Sequence, residues 1–142
     1  MSRKIVITSG KGGVGKTTVT ASLAYKLACK GERVVAVDGD LGLNNLDVCM
    51  GAEGRISYDI FDCMDGRCRV KQALVQSPWH SNLFLLPARF GKNRAQVSAQ
   101  SFRDVMTELG ISRVSFSKYG TAYQTLIFPN LNSKAKEIYT YV

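Results

Sequence analysis

An α/β fold, a parallel sheet of about three to four strands flanked by helices, is what this sequence predicts. Three observations carry that expectation. A short apolar run, Ile5-Val6-Ile7-Thr8, ends in a glycine-rich loop that opens a helical pattern. A second apolar run, Val34–Val37, follows that helix at once. Two carboxylates, Asp38 and Asp40, then stand beyond the second run, where open parallel sheets place their ligands.

Each element can be justified in order. Arg3–Thr8 reads as a strand. Thr17–Lys30 reads as a helix, because Val19, Leu23 and Leu27 with Ala24 and Ala28 make an apolar stripe at helical spacing. Gly31 supplies its stop. The β-branched run Val34–Val37 suits a strand buried on both faces. Strand, helix and strand with short connections make a βαβ unit with a right-handed crossover and parallel pairing. Ser57–Met64 and Val70–Val75 read as short helices, and Leu83–Leu86 as a third strand ended by Pro87. Ser98–Leu109 reads as a helix with Phe102, Val105, Met106 and Leu109 on one face. Ala88–Gln96 is the most loop-like stretch, and no internal repeat is visible.

The chemistry lies in the loop GKGGVGKTT, residues 10–18. Gly10, Gly15, Lys16 and Thr17 satisfy G-x-x-x-x-G-K-[ST], and the strand before and helix after supply the context that makes the match a site. Glycines at 10, 12, 13 and 15 let the backbone turn its N–H groups inward, so that Gly10 to Thr18, with Val14 among them, form a phosphate cradle. Lys16 is placed to reach β/γ-phosphates and the Thr17 hydroxyl to ligate Mg²⁺. Gly10, Gly12 and Gly15 also spell G-x-G-x-x-G, with Asp38 near the position of a ribose-binding acid. Lys16-Thr17 argues against that dinucleotide reading, because a pyrophosphate held by backbone amides needs neither group. Nucleoside triphosphate with Mg²⁺ is the better ligand.

Lys11 is a second loop lysine that the cradle does not need. A cation beside developing γ-phosphate charge stabilises the transition state, and one supplied by a neighbouring subunit makes hydrolysis conditional on assembly. Asp38 and Asp40 stand two residues apart just beyond the strand and are given separate roles. Asp38 is placed to act near Mg²⁺, and Asp40 to orient or deprotonate an attacking water. The bland readings are a solvated loop lysine and two carboxylates that cap a turn.

Composition bounds the rest. The 142 residues are 45% apolar, enough for one domain with a modest core. Net charge is +8, yet the basic residues are scattered and not interleaved with aromatics, so nucleic acid is not indicated. The densest run, Arg67-Cys68-Arg69-Val70-Lys71, reads as a solvated face. No apolar run approaches the roughly 18 residues of a membrane span. Met1-Ser2-Arg3-Lys4 runs directly into a strand and is no secretory leader. Cysteines at 29, 49, 63 and 68, with His80 the sole histidine, fit reduced thiols in a cytoplasmic protein better than a metal site. His80 itself sits in a polar stretch and reads as a loop residue.

The first 109 residues resemble the deviant Walker A ATPases of the ParA/MinD family. The likeness rests on TSGKGGVGKTT at 8–18, DGDLGLNNLDVCMG at 38–51, RISYDIFD at 55–62, VKQAL at 70–74 and LFLLP at 83–87. GLNNLD followed by Met50-Gly51 and Tyr58-Asp59 narrows it toward the septum-site-determining branch. The ParA branch and the flagellar-number regulators are the alternatives. The resemblance implies a P-loop NTPase-type fold, ATP binding, and a face-to-face homodimer in which Lys11 reaches the partner's nucleotide. It implies that Asp40 aids hydrolysis and that Asp38 supports the metal, through water. It further implies attachment of the ATP-bound dimer to the inner face of the cell membrane, at anionic lipid, through a C-terminal amphipathic helix. A division inhibitor and an activating partner complete the implied Min-system partners.

From Gly110 onward the likeness fails, which divides the chain into 1–109, the N-terminal part of such a domain, and a divergent tail, 110–142. The family's next strand ends in a Walker B aspartate. Here Ile111–Lys118 follows, with Val114 and Phe116 alternating with serines, and no aspartate occurs after Asp104. The tail holds six of the thirteen aromatics, and Lys134–Tyr141 reads as a short helix. It has no basic amphipathic helix of the membrane-binding kind. Family members are much longer, so the chain reads as a truncated or frameshifted member with hydrolysis in doubt. The alternatives are a non-hydrolysing nucleotide-binding or inert fragment, and a real short protein whose tail forms a substitute strand.

Overall fold

The computed structural model describes residues 3–8, 15–38, 46–88, 99–109, 125–129 and 136–141. Strand β1 (Arg3–Thr8) leads to helix α1 (Lys16–Cys29), and β2 (Val34–Asp38) returns to the sheet. Helix α2 (Leu46–Cys49), a 3₁₀ turn (Glu53–Arg55), α3 (Ile60–Met64) and α4 (Val70–Ala73) follow. Then come β3 (Val75–Gln76), β4 (Leu83–Leu86), α5 (Ala99–Glu108), β5 (Thr125–Pro129) and β6 (Lys136–Tyr141).

Period-two alternation divides the core between two faces of the sheet. Val34 and Ala36 of β2 point to the α1 side, where they meet Ala21, Ala24, Ala28, Ile5, Ile7 and Leu83. Val35 and Val37 point the other way, to Ile60, Phe61, Val70, Phe102, Val105 and Met106. All five residues of β2 are buried, as a strand covered by helices on both faces requires. Small residues at 21, 24 and 28 let α1 lie close on the sheet. The buried stripe of α1 is therefore Thr20, Ala21, Ala24 and Ala28, with Leu23 and Leu27 at its margin. Val19, expected inside, is 40% exposed.

Caps fix the layer opposite α1. Asp59 opens α3 with a capping box: its Oδ1 accepts from the Asp62 amide at 3.0 Å, and the Asp59 amide donates to Asp62 Oδ2 at 3.0 Å. The Ile60 amide donates to the Pro87 carbonyl at 2.8 Å, tying α3 to the end of β4. Glu108, at the end of α5, accepts from Arg69 Nε at 2.8 Å and from the Val70 amide at 3.1 Å. Arg67 pairs with Asp62 and Asp65. The basic run at 67–71 is thus largely matched by acids, in keeping with a solvated face.

The strands run in the order β3-β4-β2-β5-β1-β6. β1, β2 and β4, the three strands legible in the first 109 residues, share one direction. β2 pairs parallel with β4, while β1 and β2 are each antiparallel to β5. β5 lies between β1 and β2, so the crossover through α1 skips one position and the two strands are not hydrogen-bonded neighbours. The sheet is mixed and six-stranded because the tail contributes β5 at its centre and β6, parallel to β1, at its edge. The short helix expected over Lys134–Tyr141 is replaced by β6, where six backbone pairings with β1 outweigh a weak local helical preference. The expected strand around Val114 and Phe116 lies outside the described residues.

Candidate phosphate site at the ends of β1 and β2

The site is built where β1 and β2 end. Gly15 stands at φ 90°, ψ 21°, a left-handed conformation that costs a residue with a Cβ about 1–2 kcal/mol. No atom lies within 4 Å of where its Cβ would be, so backbone conformation and not room demands the glycine. Immediately after it the chain enters α1. That helix is 14 residues long, carries no acid in its first turn, and has a cap residue with no side-chain acceptor. Its first amides and the positive end of its dipole suit an anion.

Lys16 is the first helical residue and is only 5% exposed; Thr17 is half-buried and Thr18 exposed. The Thr20 hydroxyl donates to the Lys16 carbonyl at 2.8 Å, which holds the first turn in place. Asp38, the last residue of β2, is 3% exposed. An ammonium and a carboxylate buried to this degree both need partners, and neither Lys16 nor Asp38 lacks one.

Strand register places Asp38 relative to the loop. Ile7 of β1 and Asp38 of β2 are both level with Thr125 of β5. Asp38 therefore lies about 9–10 Å across the sheet from Ile7, two strand spacings, on the edge from which the glycine loop departs. The structure thus brings Gly15, Lys16, Thr17, Thr18 and Asp38 to one edge of the sheet. Gly10, Lys11, Gly12, Gly13, Val14 and Asp40 lie outside the described residues.

The residues present fit a phosphate group with a divalent cation: an uncapped helix N-terminus, a buried lysine, a hydroxyl in the first turn and a buried carboxylate. One feature of the edge escaped sequence reasoning. The strand between β1 and β2 runs antiparallel, so its first residue, Thr125, faces the site's edge where a parallel strand would present its last. Leu126-Ile127-Phe128 before Pro129 was the available signal for a strand, but nothing local encodes its direction or its slot. Among the described residues no helix is long and apolar enough to cross a membrane.

Residues 5–125 match the family described as the CobQ/CobB/MinD/ParA nucleotide binding domain. The chain is 48% identical over 110 residues to the septum site-determining protein MinD of Bacillus subtilis, an alignment covering 77% of this chain and 41% of the relative. Among solved structures it resembles the MinC:MinD cell division protein complex of Aquifex aeolicus, with a TM-score of 0.65 and 43% identity over 74% of this chain and 41% of that one. It also resembles the MinD of Pyrococcus horikoshii complexed with Mg-ADP, with a TM-score of 0.57 and 33% identity over 71% and 38% of the two chains. The chain spans about two fifths of the length of these relatives.

Proposed function

We propose, on the premise that this chain belongs to the CobQ/CobB/MinD/ParA nucleotide-binding domain family, that it binds ATP with Mg²⁺ as the N-terminal part of a MinD-like septum-site-determining ATPase. The observation that carries the proposal is the buried Lys16 behind a left-handed Gly15, at one edge with the buried Asp38. In this reading the backbone of Gly10 to Gly15 and the first amides of α1 receive the phosphates. Lys16 neutralises β/γ-phosphate charge, the Thr17 hydroxyl is a metal ligand, and Asp38 holds the metal's water shell. The cation, when bound, offsets phosphate charge. Lys11 and Asp40 carry the hydrolytic roles, a cation offered across a dimer and a water-orienting carboxylate.

In this reading residues 1–109 are the N-terminal part of the ATPase domain and 110–142 a divergent tail, of which the family match takes in residues up to 125. That tail fills the slot between β1 and β2 with β5, which favours the tail as real protein over a disordered extension. It brings no aspartate, however: the sole acid after Glu108 is Glu137, in β6. Loss of one pre-organised electrostatic group costs on the order of 10²–10³ in rate. The chain is therefore a nucleotide binder with weak hydrolysis. MinC-type and homodimeric partners, and a cytoplasmic location with peripheral attachment to anionic membrane, are carried over from the family in the same proposal.

Titration with a fluorescent ATP analogue, with and without Mg²⁺, tests it. Binding that strengthens with Mg²⁺ and weakens roughly tenfold to a hundredfold in Lys16→Ala is expected, in line with about 1.5–3 kcal/mol for a charged hydrogen bond. Equal affinity of the two proteins overturns the site. Rapid Mg²⁺-dependent, lipid-stimulated turnover abolished by Lys16→Ala overturns the weak-hydrolysis part alone.

A further inference from the structure

Away from the phosphate edge, two nucleophilic side chains meet at the corner between α3 and α4. Helix α3 ends in a Schellman turn: the Gly66 amide donates to the Cys63 carbonyl at 3.1 Å, and the Arg67 amide to the Asp62 carbonyl at 2.9 Å. Gly66 takes the left-handed conformation this turn needs, with φ 73°. The chain therefore doubles back, and Cys68 returns over Cys63 with the two Sγ atoms 3.6 Å apart. Both are free thiols, half-buried, packed against the core face formed by Val35, Val37 and Leu86. Among the described residues no third His, Cys, Asp or Glu joins them to make a metal site. What two adjacent thiols can do without further donors is two-electron chemistry.

We propose that Cys63 and Cys68 form a reversible thiol–disulfide site, closed by exchange with a low-molecular-weight disulfide, which clamps α3 to the start of α4. A disulfide bond is about 2.0 Å long, so closure asks the sulfurs to approach by roughly 1.5 Å across a turn that already faces them together. The order of the steps follows from the setting of each thiol. Burial, then the hydrogen bond and charge of Cys68, push the Cys63 thiol up, so Cys68 attacks first. Its thiolate takes one sulfur of the external disulfide, the S–S bond breaks, and one small thiolate leaves and takes up the proton. Cys63, relieved of the charge on its neighbour, then attacks the Cys68 sulfur and expels the second small thiolate, which takes up the proton lost by Cys63. Two protein thiols are oxidised and one small disulfide is reduced to two thiols. Arg69, next to Cys68, is held by Glu108 of α5, so the clamp reaches the helix layer that covers β2 and β4.

Oxidised glutathione with the native 142-residue chain is the test, followed by alkylation and tryptic mapping without reduction. The expected result is loss of two thiols and two hydrogens, with the Cys68-Arg69 dipeptide tethered to the peptide ending at Arg67, and full reversal by dithiothreitol. Closure at a given glutathione ratio should be about tenfold more favourable in the native chain than in denaturant. Cys63→Ser should instead retain glutathione on Cys68. Recovery of both residues as thiols, a separate adduct on each, or preferential pairing with Cys29 or Cys49 overturns the proposal. Equal closure in native and denatured chain overturns it too, because the fold would then contribute nothing.

Discussion

Lys16 and Asp38 set the character of the site at the scale of single residues. Each is a charged group held at 5% exposure or less, and such burial is costly unless partners compensate. Asp38→Asn is expected to weaken the Mg²⁺ dependence of nucleotide binding while leaving metal-free binding nearly unchanged, measured by the same titration at varied Mg²⁺. Gly15 is a backbone requirement, so Gly15→Ala should lower stability by about 1–2 kcal/mol in urea unfolding, with the loss traceable to strain and not to crowding. The identities of these residues were legible from spacing alone, because phosphate chemistry demands a glycine turn, a lysine and a hydroxyl in sequence. Their burial was not legible, since it depends on which strands and helices close around them.

Caps and small residues govern the elements. The Asp59–Asp62 box and the Pro87 carbonyl fix the start of α3, and Asp59→Ala is expected to cost about 1 kcal/mol in chemical denaturation. Glu108 joins α5 to α4 through Arg69 and the Val70 amide, but its side chain is 33% exposed. Glu108→Ala should therefore cost no more than about 1 kcal/mol, with the Arg69 part of that loss shrinking as salt screens the pair. On α1, Ala24 is fully buried between helix and sheet, and Ala24→Leu should destabilise by about 1–3 kcal/mol through overpacking. Helix α1 was legible from its period, whereas its buried stripe was misplaced by the weight given to Val19. Close packing on the sheet selects the alanines, and bulk alone does not show that. Helix α2 and the two-residue β3 are too short to carry a period, so they emerge only from contacts: the Ser77 hydroxyl at the end of β3, for example, donates to the Met50 carbonyl at 2.9 Å.

The whole molecule is held together by its tail. β5 hydrogen-bonds to β1 on one side and β2 on the other, and β6 covers the outer edge of β1. A chain ended after residue 109 would leave the inner edges of β1 and β2 unpaired, a template for association. Such a chain is expected to elute as larger species in size-exclusion chromatography and to lose its cooperative thermal transition, whereas the 142-residue chain unfolds in one step. By itself the sequence determined the α/β class, the positions and directions of β1, β2 and β4, and a glycine–lysine–threonine loop whose chemistry is phosphate binding. These follow from local rules: apolar period, helix stops, and the turn that a phosphate cradle needs. Only the tertiary structure decided that the tail enters the sheet, that β5 runs against its neighbours, and that Lys16 and Asp38 are buried at one edge. Pairing between strands about a hundred residues apart is chosen by competition among edges and by burial on both faces, and no local stretch of sequence encodes the outcome.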